Sequence, residues 1–139
     1  MIFFISLIGC TVSNVSNSPP ELKILYKDKS VEAIKGTYSW ASINLNGAKT
    51  FTTADCSAPP ELVRNSVPMT VSANSPLSLS FSKKPSKTEV RIWHDNDIIK
   101  QQLVNGKIII PEQKGKVIYE VIGTWKNGTV YYTFLVNVE

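Results

Sequence analysis

The amino-acid sequence predicts an all-β protein, an antiparallel immunoglobulin-like β-sandwich, with a small closed β-barrel as the alternative. Three observations lead there. Asn-Gly occurs three times, at Asn46-Gly47, Asn105-Gly106 and Asn127-Gly128, and this dipeptide suits the type I′ hairpin turn, in which both central residues need positive φ. No segment carries an apolar stripe of period 3.6, the mark of an amphipathic helix. A chain of 139 residues, 42% hydrophobic and 19% charged, is long and apolar enough to build one packed core.

The first element is a compact apolar run, Ile2-Phe3-Phe4-Ile5-Ser6-Leu7-Ile8, followed by Gly9-Cys10 and a polar stretch ending in Pro19-Pro20. It falls well short of the roughly 20 residues of a membrane-spanning helix and has the length of a signal-peptide apolar region. The run also suits a buried strand, with Cys10 as a small core residue. No Lys or Arg precedes the run, and the first charged residue is Glu21. Leu7-Ile8-Gly9-Cys10 resembles the lipobox of bacterial lipoprotein precursors. That resemblance implies a signal peptide over 1–9, cleavage before Cys10 and lipid on its thiol. It also implies a flexible tether over 10–21 and a β-sandwich domain over 22–139. The anchor places the chain on the extracytoplasmic face of the cell membrane, where two acyl chains suffice for stable attachment. With Cys10 acylated, Cys56 is a lone thiol and no intramolecular disulfide forms.

Strands are then expected over 22–26, 38–45, 48–53, 67–71, 77–81, 89–93, 98–104 and 107–110, with two more flanking Asn127-Gly128. A two-residue loop at Asn46-Gly47 sets Ser42 opposite Phe51 and Tyr38 opposite Asp55, and puts Tyr38, Trp40 and Phe51 on one face. Pro59-Pro60-Glu61-Leu62-Val63 suits one helical turn, with proline at its start. The turn at Asn105-Gly106 joins 98–104 to 107–110, with Leu103 opposite Ile108. Around Asn127-Gly128 the same geometry pairs Trp125 with Val130, Gly123 with Tyr132, Val121 with Phe134, Tyr119 with Val136 and Val117 with Val138. Every one of these pairs is apolar or aromatic, and the alternate residues, Glu120 among them, make a mixed face. The paired cysteines of antibody-type domains are absent, which leaves Trp93 on a central strand as the one immunoglobulin-like marker.

Chemistry is sparse. His94 is the only histidine. Neither a Gly-x-Ser-x-Gly elbow nor a phosphate-binding glycine loop occurs, and Asp55 next to Cys56 raises rather than lowers the thiol pKa. His94, Asp95 and Asp97 form the best metal candidate, since Asp-x-Asp offers two oxygens from one turn, although the calcium-loop pattern does not continue. The bland alternative is a polar turn with Asp and Asn capping backbone groups. Tyr38, Trp40 and Asp55 form a candidate ligand-binding group, because clustered aromatics stack on sugar rings or anchor peptides. Aromatics in strands are also ordinary core. Asn127-Gly128-Thr129 spells a glycosylation acceptor, and a tight hairpin turn explains it equally.

The 15 basic residues, 13 of them lysine, exceed the 11 acidic ones and are spread along the chain. Arg-rich clusters with interleaved aromatics, the footprint of nucleic-acid readers, are missing. Outside a membrane, lysines face anionic headgroups or wall polymers. The Cys10 signal, Gly36-Thr37-Tyr38-Ser39-Trp40, Asp55-Cys56, Pro111 with Gly115, and the ending 119–125, Gly128, Tyr132 and Phe134 together resemble small lipoproteins of Gram-positive bacteria. The resemblance implies an address and a β-rich fold, and no activity. The function expected is a non-enzymatic binding or interaction module without a cofactor. Its partners are the membrane, through lipid on Cys10, and a cell-wall polymer or envelope protein, and not nucleic acid. A glycan- or peptide-binding protein and a metal-dependent hydrolase are the alternatives.

Overall fold

The computed structural model describes residues 18–43, 45–95 and 97–139. Cys10 and the apolar run therefore lie outside the described residues. Within them, eleven strands and one helical turn form two sheets that are not closed into a barrel, which removes the barrel alternative.

The smaller sheet has the order β2-β1-β6-β9, with β1 Leu22–Tyr26, β2 Lys29–Glu32, β6 Pro76–Phe81 and β9 Lys107–Ile109. The larger runs β4-β3-β11-β10-β7-β8, built from β3 Ile34–Ile43, β4 Lys49–Ala54, β7 Lys87–His94, β8 Asp97–Gln101, β10 Gly115–Trp125 and β11 Gly128–Val138. All these pairings are antiparallel, and β5 (Met69–Val71) adds the one parallel contact, against the end of β11. Period-2 alternation sorts each long strand. On β10 and β11, Tyr119, Val121, Trp125, Val130, Tyr132, Phe134, Val136 and Val138 turn inward and join Leu22, Ile24, Leu77 and Ile108 of the smaller sheet in one core cluster. Tyr119 stacks on Phe134, while Phe81 meets Trp125 and Tyr132 edge-on. The Tyr132 hydroxyl donates to the Pro20 carbonyl at 2.6 Å, which ties the start of the described chain to the core. The arrangement is sandwich-like.

The three Asn-Gly sites behave differently from one another. At Asn105-Gly106 both residues have positive φ, and Val104 and Lys107 exchange backbone bonds of 2.9 and 3.0 Å, so the tight turn is as expected. The flanking strands then part: β8 pairs with β7, and β9 pairs with β6 in the other sheet. Ile108 gains full burial there, which a hairpin with the exposed β8 would not provide. At Asn46-Gly47 the register is one residue off the expected one. Ala41 faces Phe51 and Tyr38 faces Ala54, so Phe51 sits on the face opposite Tyr38 and Trp40.

At Asn127-Gly128 the shift is two. Trp125 faces Gly128, Gly123 faces Val130, Val121 faces Tyr132 and Tyr119 faces Phe134, with Lys126-Asn127 forming the loop. A shift of two leaves every side chain on its expected face. Tyr132 accordingly does not cover Gly123; the Trp125 indole does, since a Cβ at position 123 would lie 2.5 Å from its Cη2. Two structural facts account for Asn127-Gly128 without a type I′ turn. The Asn127 side-chain amide donates to the Ala41 carbonyl at 2.9 Å, and Ala41 N–H donates back to the Asn127 carbonyl at 2.8 Å. At Gly128 a Cβ would meet the Ser39 carbonyl oxygen at 1.9 Å, so only glycine lets β3 approach this closely. This structural use of the Asn127 amide is at odds with a glycan there.

The helical turn appears as α1 (Pro59–Leu62), and β2 and the first residues of β3 are additional to the expected elements.

Candidate functional site

Two of the sequence-derived ligand residues are core. Tyr38 and Trp40 are each 3% exposed, and Trp40 packs edge-on against Trp125 at 5.6 Å. Asp55 is exposed just beyond β4. The expected surface of Tyr38, Trp40 and Asp55 is therefore not formed, because the inward parity of β3 takes both rings into the core while Asp55 stays outside. His94, Asp95 and Asp97 sit exposed at the tip of the β7–β8 hairpin, where His94 faces Asp97 across the turn and Asp95 has φ 49°. Their place is that of the polar turn, and among the described residues no three His, Cys, Asp or Glu side chains converge on a point. Trp93 points away from the inter-sheet core, unlike the buried tryptophan of antibody-type domains.

Where Trp93 points, the structure builds a cleft that the sequence reading did not single out. On β10 the inward side chains are Tyr119 and Val121, so Glu120 between them projects from the opposite, outer face of the larger sheet. Its cross-strand neighbours are Arg91 on β7 and Thr133 on β11, and Trp93 lies diagonally next to Ile118. The segment after β4 folds over this face. Pro59 and Val63 are buried against it, and Pro59, Leu62 and Cys56 roof a cavity of about 280 Å³ floored by Arg91, Trp93, Glu120 and Thr133. A second hollow of about 340 Å³ on the far side of Trp93 is bounded by Val63, Arg64, His94, Lys116 and Ile118.

A bulge in β3 helps position the roof. Gly36 and Thr37 together oppose Tyr131, which re-aims this stretch of strand. The Thr37 hydroxyl accepts the Cys56 N–H at 3.1 Å and so pins the loop to the sheet. The Cys56 sulfur is disulfide-bonded in this structure, a pairing that the lone thiol expected of a Cys10-acylated chain would lack. The sequence has one other cysteine, Cys10, outside the described residues.

Glu120 is the chemical centre of the cleft. It is only 6% exposed, its Oε1 accepts the Trp93 indole N–H at 3.2 Å, and the Arg91 guanidinium stands 3.8 Å away. Burial raises its pKa above the usual carboxylate range and outweighs the opposing pull of the Trp93 hydrogen bond and the Arg91 charge. The group offers a hydrogen-bonding carboxyl that takes up a proton readily, flanked by a cation and an indole. The volume lies at the lower edge of ordinary ligand pockets, so the cleft suits a ligand group the size of one sugar ring or one side chain. One sequence signal pointed here: Glu120 is the single charged residue within 117–125, a stretch of strand otherwise apolar on most positions of both faces.

No family model, curated protein or solved structure matches this chain.

Proposed function

We propose that the protein is an extracytoplasmic binding module with an immunoglobulin-like β-sandwich, anchored on the outer face of the cell membrane by lipid on Cys10. Its ligand enters the cleft at Glu120, and its role is binding rather than catalysis. The observation that carries this reading is the half-roofed cleft that keeps a buried carboxyl beside an arginine and an indole. Burying a carboxyl costs free energy, and a carboxyl whose pKa is perturbed by burial and held in a cleft marks a candidate functional site. Two antiparallel sheets around one core support the sandwich. The sequence from Ile2 to Cys10 supports the anchor.

The anchor and an intrachain bond at Cys56 exclude each other, because the sequence holds two cysteines. Metabolic palmitate labelling and membrane fractionation decide between them. The anchor predicts that wild type and Cys56→Ala take the label and stay with membranes through a high-salt wash, while Cys10→Ala takes no label and is released by the wash. A Cys10→Ala protein that still labels and sediments overturns the anchor.

A cell-wall glycan or peptide is the ligand class favoured by Trp93, the one tryptophan that lines the cleft. The three tryptophans give separate indole N–H signals in an NMR titration with soluble peptidoglycan fragments. Trp93, bonded to Glu120, shifts on binding. Trp125, bonded to the Lys83 carbonyl, and Trp40, inside the core, do not. A Trp93 signal that stays still at saturating ligand removes the cleft as the site.

A further inference from the structure

Several pieces of chain meet at one end of the larger sheet. The β3–β4 hairpin ends there, carrying Ile43 at 60% exposure, Phe51 at 70% and Leu45 wholly exposed. Ile43 and Phe51 share the outer face of the hairpin, since Ile43 pairs with Lys49 and Phe51 with Ala41. The Lys126-Asn127 turn is bonded to this hairpin through Ala41. The loop carrying Lys83 and Lys84 is bonded to the same turn region, Trp125 Nε1 donating to the Lys83 carbonyl and Ser86 N–H to the Thr124 carbonyl. Glu21 exchanges hydrogen bonds with Ser82 at the head of that loop, so the N-terminal chain joins the fold beside it.

The unpaired charges described at this end are of one sign. Lys49, Lys83, Lys84 and Lys126 are exposed, and among the described residues none of them forms an ion pair. The acids nearby are engaged: Glu21 bonds Lys35 at 2.7 Å and Glu89 bonds Lys87 at 3.1 Å. Three large apolar side chains held in water at the tip of an edge hairpin, ringed by unpaired lysines, combine the two terms that drive interfacial membrane binding.

We propose that this end of the molecule rests on an anionic lipid bilayer, with Ile43, Leu45 and Phe51 entering the headgroup region and the four lysines against the phosphates. The inference rests on the membrane address given above. The eleven residues from Cys10 to Glu21 span at most about 40 Å when extended. Lipid on Cys10 therefore brings this end within reach of the bilayer, and docking would fix the orientation of a domain that a tether alone leaves free.

The test uses the full chain as Cys10→Ala, so that no acyl chain contributes, in sedimentation with vesicles of phosphatidylglycerol and phosphatidylcholine or of phosphatidylcholine alone. Binding to the anionic vesicles is expected, falling as salt rises and near background on the zwitterionic ones. Lys83→Glu with Lys84→Glu should lower the partition coefficient at least about fivefold per lysine. Leu45→Ser with Phe51→Ser should lower it at every salt concentration. Lys114→Glu with Lys116→Glu makes the same charge change at the other end of β10 and should leave binding at the level of the parent. Equal losses from the two lysine pairs, or equal binding to both kinds of vesicle, overturn the proposal. Wild-type chain that takes no palmitate label while vesicle binding persists overturns the anchor and leaves this surface standing.

Discussion

The β10–β11 and β3–β4 hairpins both carry Asn-Gly, and the fold treats them in opposite ways. The first lies at the centre of the larger sheet, with β7 and β3 on its flanks and most residues buried on both faces. The second is at the edge, with β4 exposed along most of its length. In the central hairpin, tertiary packing overrides the local turn: Asn127 is used to hold β3, and Gly128 to let it come close. In the edge hairpin, Gly47 has φ 83° and nothing within 4 Å of a Cβ position, so it serves only the loop's own conformation. The same dipeptide is thus a tertiary contact in one place and a local turn in the other.

Alanine at the two glycines separates these roles most widely. Gly128→Ala combines a φ of 153° with a Cβ 1.9 Å from the Ser39 oxygen, and no flexible side chain can yield there. Strain and overpacking together should cost about 3 kcal/mol or more. Gly47→Ala should cost about 1 kcal/mol, the ordinary penalty of a left-handed non-glycine residue. Urea unfolding of both variants measures the gap. Equal costs would mean that β3 does not press on Gly128.

A smaller effect distinguishes the outer faces of the two hairpins. Glu120 is buried on β10, and its raised pKa means that the native state holds a proton that the unfolded chain releases. The stability linked to this proton is complete below the ordinary carboxylate titration. It is lost as pH rises through the higher native pKa. Glu120→Gln keeps an oxygen for the Trp93 indole and removes the charge. Its stability should fall less than that of the wild type as pH rises from about 4 to 7, the unfolded carboxyl titrating near 4.3. Unfolding curves collected across that range check the sign, and parallel curves for the two proteins would show that Glu120 ionises without penalty.

How much of this was legible in the sequence follows from which interactions are local. The core face of β10 and β11 could be read because period-2 alternation survives a slip of two residues. The face of Phe51 was misjudged because a slip of one reverses parity, and the five-residue connection from Ile43 to Lys49 is not determined by Asn-Gly alone. The tight turn at Asn105-Gly106 was readable, whereas the parting of its strands depends on β6 and β7, distant in sequence. The cleft was hidden for the same reason. Arg91, Glu120 and Thr133 become neighbours only through strand pairing, and their roof comes from a segment tens of residues earlier. Tyr38 and Trp40 offered a visible aromatic motif that turned out to be packing.

The smallest predicted change in stability is at Phe51, and its smallness is informative. A phenylalanine in the core costs about 3–5 kcal/mol to remove. Phe51 is 70% exposed on an edge strand, and its pairing partner Ala41 offers little surface to pack against. Phe51→Thr keeps good strand propensity and should shift stability by no more than about 0.5 kcal/mol. Thermal unfolding reads this directly. A large loss would mean that the ring is packed in solution, by a second copy or by chain outside the described residues, and is unavailable to a bilayer. A negligible loss would identify a side chain kept on the surface without benefit to folding. In that case weaker vesicle binding by the same variant, with its stability intact, separates a contact made with the membrane from one made within the fold.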